Sequence, residues 1–88
     1  MPRIKYPNRF KNAYVKLPGT IRKKVDKAIR LLADNPQHPS LRSKKIQGVR
    51  GIYEARIDRN YRMTYERLGD DVIRLRVVGK HDDALKNP

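Results

Sequence analysis

Residues 52–79 read IYEARIDRNYRMTYERLGDDVIRLRVVG, and this stretch decides the fold class. It holds three alternating or β-rich runs, at 52–58, 61–68 and 72–79. Asp58-Arg59-Asn60 and Gly69-Asp70-Asp71 separate them, and both have the composition of tight turns. Successive side chains of a strand point to opposite faces, so each run divides into two sets. Tyr53, Ala55, Ile57, Tyr61, Met63, Tyr65, Ile73, Leu75 and Val77 make an apolar set. Glu54, Arg56, Asp58, Arg62, Thr64, Glu66, Arg74 and Arg76 make a polar one. An antiparallel sheet with one face on a core and the other toward water has this pattern.

Register follows from the same requirement, because apolar positions must face apolar positions. Ile57 should pair with Tyr61 across a three-residue loop, with Asn60 able to take the left-handed position. Arg56 then stands opposite Arg62, and Glu54 opposite Thr64. In the next hairpin Glu66 should pair with Arg74 and Thr64 with Arg76. Like charges directly across a ladder repel. A phosphate between Arg56 and Arg62 would turn that repulsion into a bidentate clamp. Two arginines splayed into water are the ordinary alternative.

Working outward, Lys44–Gln47 reads as a shorter preceding strand and PQHPSLRS (36–43) as a loop held open by two prolines. Before it, Ile21, Val25, Ala28, Ile29 and Leu32 recur at helical spacing, with Thr20 as the expected N-cap and Asn35-Pro36 as the stop. A short helix over 7–16 and a short strand over 2–6 complete the first half. The fold class is α+β: N-terminal helices packed on one face of a three- to four-stranded antiparallel sheet, with a short C-terminal helical tail. Residues 1–88 form a single domain of this design. A chain of this length buries only about 60–65% of its unfolded surface, so its core is thin.

Charge narrows the function. Twenty-two Lys and Arg face nine Asp and Glu, a formal net charge of +13, and the cations are spread through helix and strand segments. A folded basic surface of this density attracts polyanions, nucleic acid first and acidic protein second. There is no cysteine, which excludes disulfides, thiolate nucleophiles and Cys-based zinc sites. Two histidines cannot make a His-rich metal cluster, so neither metal nor cofactor is expected. No apolar run approaches the ~20 residues that span a bilayer. MPRIKYPNRF (1–10) lacks the apolar segment of a signal peptide, so a cytoplasmic protein is expected.

One titratable group suits neutral pH. Val77-Val78-Gly79-Lys80-His81-Asp82 runs off the last strand beside the Tyr61 end of its neighbour, which brings His81 near Arg62. An imidazole there can give or take a proton during phosphoryl transfer. Asp82 either orients it or caps a short helix over 82–86. His38, between prolines, reads as structural, and Tyr61 and Tyr65 read as core.

At these residues the sequence resembles the RelE/ParE toxin superfamily of type II toxin–antitoxin systems, closest to its RelE-like and YafQ-like branch. The pieces are Leu17-Pro18, Leu41, Lys45-Ile46-Gln47-Gly48, Gly51-Ile52-Tyr53-Glu54-Ala55-Arg56-Ile57, Tyr61-Arg62-Met63-Thr64-Tyr65 and Val78-Gly79-Lys80-His81-Asp82, in order over roughly 15–83. The resemblance implies helices on one face of an antiparallel sheet and ribosome-dependent cleavage of mRNA by a ribose 2′-hydroxyl, with no metal. By position, Arg56 and Arg62 would clamp the phosphate and His81 would be the general acid. Glu54, or second to it Lys45, would be the base. Lys44, Lys45, Arg74, Arg76 and Lys80 would contact RNA. An acidic, partly disordered antitoxin would neutralise the protein, and ribosome and mRNA would be its other partners.

The sequence departs from the family at two points. Some relatives carry lysine at the Glu54 position, and the tail Lys86-Asn87-Pro88 lacks the late tyrosine that others stack on a base. Three other readings stay open: a ParE-like gyrase inhibitor, a non-catalytic basic RNA-binding module, and a toxin that binds its partner but no longer cleaves. Arg62 together with His81 favours the nuclease.

Overall fold

The computed structural model describes residues 2–69 and 71–88. The elements are β1 (Arg3–Lys5), α1 (Asn8–Val15), α2 (Gly19–Asp34), a 3-10 turn (Pro39–Leu41), β2 (Lys44–Lys45), β3 (Ile52–Arg56), β4 (Tyr61–Arg67), β5 (Val72–Lys80) and α3 (His81–Lys86). The α+β class is as expected. The sheet is larger than the expected three or four strands: five lie in the order β1-β5-β4-β3-β2. It is mixed, because β1 pairs parallel to β5, with Ile4 opposite Ile73. Antiparallel hairpins need only a tight turn, whereas a parallel edge needs a long crossover, and here all the intervening elements supply it.

The apolar periodicity of α2 works as read. Val25, Ala28, Ile29 and Leu32 are buried and meet Phe10 of α1, Leu17, Leu41 and the inner face of the sheet. That inner face contributes Ala55, Met63, Tyr65, Ile73, Leu75 and Val78. The helix begins at Gly19, one residue before the expected Thr20 cap. Extended backbone at Pro18 lets its carbonyl accept the N–H groups of Ile21 and Arg22 at 3.0 and 2.9 Å. Arg22 Nη1 then donates to the Leu17 carbonyl at 2.7 Å. The first turn is therefore anchored by main chain and an arginine, without a hydroxyl cap.

The first hairpin has the expected register. Arg56 pairs with Arg62, Glu54 with Thr64, Tyr53 with Tyr65, and Lys44 of β2 continues the Glu54 row. The second departs from it. Glu66 pairs with Arg74 as read, but a bulge between Thr64 and Tyr65 sets Thr64 opposite Val77, not Arg76. Arg76 is the extra residue, and Arg76 and Val77 both turn away from the core. The core position expected for Val77 falls to Val78, which is 3% exposed and pairs with Met63. Alternation could not choose between two adjacent valines; packing did. Of the second turn, Gly69 takes φ +73°, while Asp70 lies outside the described residues.

The polar face is less open than alternation implied. α3 starts at His81, with Asp82 in its first turn instead of at the cap, and it lies across β4 and β5 on that face. Its Ala84 is 1% exposed. Thr64 beneath is fully buried, and Ile52 and Glu54 of the same face are nearly so. The molecule has three layers: α1 and α2, the sheet, and a short helix over part of the other side.

Candidate functional site

The β3–β4 turn is built by Asp58. Its Oδ1 accepts the N–H groups of Asn60 and Tyr61 at 2.8 and 2.9 Å, and its Oδ2 meets Lys24 of α2 at 3.2 Å. Partial burial pushes the Asp58 carboxyl up, but the Asn60 N–H, the Lys24 ammonium and the Tyr61 N–H outweigh it and hold the group below its usual range. This carboxylate is committed to the turn. Arg62 Nη1 donates to the carbonyls of Asp58 and Tyr61 at 2.6 and 3.0 Å, which sets the guanidinium over the same turn.

Arg56 stands directly across the ladder from Arg62. It lies beyond the short span of β2, at an open edge of the sheet, and borders a groove with Lys24, Lys27 and Leu31 of α2. On the other flank of Arg62 the bulge has set Gly79. A Cβ at Gly79 would meet nothing within 4 Å, so the space beside Arg62 is open. Without the bulge, Val78 would stand there.

Glu54 lies on the same face, two residues before Arg56 and so about 7 Å along the strand. It is 8% exposed, and Lys44 Nζ approaches it at 3.9 Å. Lys45 pairs with Tyr53 and therefore lies on the opposite face from Glu54. Of the two candidate bases, only Glu54 shares a face with the arginine pair.

His81 follows directly on β5. Its backbone N–H donates to the Asn60 carbonyl at 2.7 Å, which ties the start of α3 to the turn carrying Arg62. Its ring is about half exposed and Nδ1 lies 3.0 Å from Asp82 Oδ1. With Nδ1 donating to Asp82, Nε2 is the nitrogen left for a ligand. Arg59, Asn60, Tyr61, Lys80, His81 and Asp82 line an open cleft here.

Arg74 and Arg76 lie at the other end of the face. Arg74 Nε meets Glu66 Oε1 at 2.6 Å and Arg76 Nη1 meets the same oxygen at 3.3 Å. The Arg74 hydrogen bond leads in holding the Glu66 carboxyl below its usual range, against a smaller upward push from burial. Arg76 Nε donates to the Pro88 carbonyl at 2.9 Å.

The structure thus sets Arg56 opposite Arg62, places Glu54 on the same face beside Lys44, and ties the His81 backbone to the β3–β4 turn. Lys80 pairs with Tyr61 and so, like Lys45, lies on the opposite face, while Arg74 and Arg76 are at the far end. His38 accepts the Ser40 N–H through Nδ1 and caps the 3-10 turn, as its structural reading requires. Tyr65 is core and stacks on Tyr53 with ring centroids 5.4 Å apart. The buried Thr64 hydroxyl had no signal in the sequence, where it reads as an ordinary outward strand residue. Among the described residues no group of three acidic, His or Cys side chains could hold a metal ion. No helix among them is long and apolar enough to cross a membrane.

Residues 4–85 match the profile of the family described as the ParE toxin of the type II toxin–antitoxin system parDE. The chain belongs to this family. No curated protein matches the toxin by sequence. Solved structures share its fold widely. The Methanococcus jannaschii RelB–RelE antitoxin–toxin complex matches with TM-score 0.75 and 27% identity over 94% of this chain and 98% of that one. E. coli YafQ gives 0.74 and 21% over 94% and 97%. A YoeB/ParE toxin from Agrobacterium tumefaciens gives 0.77 and 16% over 92% and 99%. The toxin is a member of the RelE/ParE superfamily, and its neighbours come from both the RelE/YafQ side and the ParE side.

Proposed function

We propose that this toxin is an endoribonuclease that cuts mRNA on the ribosome, in the cytoplasm, at the face carrying Arg56, Arg62 and His81. The observation that carries the reading is the Arg56–Arg62 pair, with open space over Gly79 and His81 tied to the same turn. Two arginines directly opposite each other on a ladder repel, and a phosphate bound between them would offset that repulsion.

In the proposed reaction a ribose 2′-hydroxyl attacks the neighbouring phosphorus and the bond to the 5′ oxygen breaks. The products are a 2′,3′-cyclic phosphate and a 5′-hydroxyl. Glu54 takes the proton from the 2′-hydroxyl, Arg56 and Arg62 hold the charge that gathers on the phosphoryl oxygens, and His81 protonates the leaving oxygen. The nucleophile belongs to the substrate, so the step calls for no metal. Lys44 extends the positive surface beside the arginine pair.

The partner that neutralises it is an acidic antitoxin, in keeping with the charge of +13 and with the antitoxin-bound state of the M. jannaschii relative. The test is inducible expression of wild type beside Arg62→Ala and His81→Gln, scoring growth and mapping transcript 5′ ends. Growth arrest with cuts inside translated codons, relieved by both substitutions, supports the nuclease. Arrest without cuts favours a second reading, inhibition of DNA gyrase, to which the ParE family match gives weight.

A further inference from the structure

A second cluster of polar contacts lies at the far end of α3. Arg76, on the polar face of β5, reaches Pro88, which follows the helix. Arg76 Nε donates to the Pro88 carbonyl at 2.9 Å, and the Thr64 hydroxyl donates to the same oxygen at 3.1 Å. Arg9 of α1 donates through Nη2 to the Asn87 carbonyl. Side chains from α1, β4 and β5 therefore converge on Asn87 and Pro88.

The helix they hold has little else to hold it. α3 has six residues, well short of the ~12–15 below which an isolated helix is marginal in water. Ala84 is its one buried residue among those described, a methyl group that contributes about 0.8 kcal/mol, and Leu85 beside it is half-buried. Its N-cap, Lys80, makes no side-chain capping bond. What fixes α3 is the Asn60 carbonyl at its start and the polar clasp at its end. His81 is the first residue of that helix, and among the described residues the hydrogen-bond partner of its ring is the fully exposed Asp82. The place of the imidazole relative to Arg62 is therefore set by the backbone of α3.

Thr64 serves this arrangement from a fully buried site. Its oxygen accepts the Val77 N–H at 3.2 Å while its proton goes to Pro88. Valine is the common β-strand residue of the same shape and could do neither. Arg76 is braced in turn by Glu66, which both β5 arginines share.

We propose that Thr64 and Arg76, with Arg9, are positioning residues that clasp the segment after α3 and so hold His81 in register with Arg62. This rests on the nuclease reading for its effect on rate, but not for its effect on structure. Neither residue needs to touch RNA for the clasp to act. Its loss lowers the rate of the chemical step and leaves RNA affinity nearly unchanged, whereas loss of a direct RNA contact weakens binding.

The toxin is made as wild type, Thr64→Val, Thr64→Ser and Arg76→Gln. Amide hydrogen exchange is followed over residues 81–86 and over β3–β4, and the His81 imidazole is followed by NMR. Thr64→Val and Arg76→Gln are expected to speed exchange in α3 about ten-fold, the scale of one lost hydrogen bond, while β3–β4 keeps its protection. The His81 ring resonances move, and Thr64→Ser restores both signals. Unchanged α3 exchange and unchanged His81 resonances in both variants overturn the proposal, as does a Thr64→Ser variant that behaves like Thr64→Val. Loss of protection throughout the sheet in both variants also overturns it, since the residues would then support the whole fold.

Where wild type cleaves RNA, kcat is expected to fall about ten-fold with KM within about two-fold for both variants. A raised KM at constant kcat for Arg76→Gln overturns the positioning role in favour of an RNA contact. Where wild type does not cleave, the nuclease reading fails by itself, and the exchange and NMR results still decide the clasp.

Discussion

The two hairpins of this sheet share β4, yet they are built differently. β3–β4 is regular: every residue pairs as the alternation of apolar and polar side chains requires, and a carboxylate-built turn closes it. β4–β5 carries a bulge that inserts Arg76, moves Val78 into the core and sets Gly79 beside Arg62. The regular hairpin presents the charged pair, and the irregular one makes room next to it. A regular second hairpin would stand Val78 against Arg62 and set Arg76 opposite Thr64. The arginine pair and the irregularity beside it thus sit on different strands.

The largest expected difference between the hairpins is in chemistry. Arg62→Ala should lower RNA cleavage by about 10²–10³-fold, the cost of removing a donor to developing charge. Glu66→Gln, in the second hairpin, should change cleavage less than about three-fold, since the ion pairs it makes are at most part-buried. Single-turnover cleavage of a ribosome-bound message measures both. Equal losses would erase the division of labour between the two hairpins.

Next comes the bulge itself. Val78→Thr should destabilise the fold by about 1–3 kcal/mol, because it buries a hydroxyl where the core offers a methyl. Val77→Thr should stay within about 0.5 kcal/mol, as expected for a half-buried position off the core. Urea melts of the two variants decide it, and the reverse order would restore the regular register. A smaller effect is expected at Gly79. Its added side chain meets no atoms, so Gly79→Val should leave the melting temperature nearly unchanged. Filling the space beside Arg62 should still lower cleavage about ten-fold, since small misplacements at a reacting phosphate are costly.

The smallest effect is in acid. Asp58 closes the first hairpin and Glu66 braces the second, and both carboxyls are held below their usual range. Groups lowered on folding contribute their stability in full above the ordinary carboxylate range and lose it as pH falls through the lowered values. Thermal melts from pH 7 downward should show stability falling as the two carboxyls take up protons. Glu66→Gln should remove its share of the slope and leave that of Asp58.

Much of this was legible beforehand because strand periodicity is a local property. Arg56 opposite Arg62, Glu54 opposite Thr64 and Ile57 over Tyr61 follow from a period of two and one short turn. The apolar stripe of α2 is legible for the same reason. Thr20 misled as a cap because the Pro18 carbonyl and Arg22 satisfied the helix start one residue earlier, and those contacts appear only when the chain bends. Val77 misled because two adjacent valines fit either register equally well.

By itself the sequence determined the fold class, the charged face and the residues that populate it, since each depends on neighbours within one strand or one turn. Tertiary structure alone decided which valine entered the core, that β1 joined as a parallel edge, and that α3 came to lie over Thr64. Those outcomes are settled by packing and hydrogen bonding between segments far apart in the chain. Arg9 and Asn87 are separated by 78 positions. No local pattern records that they meet.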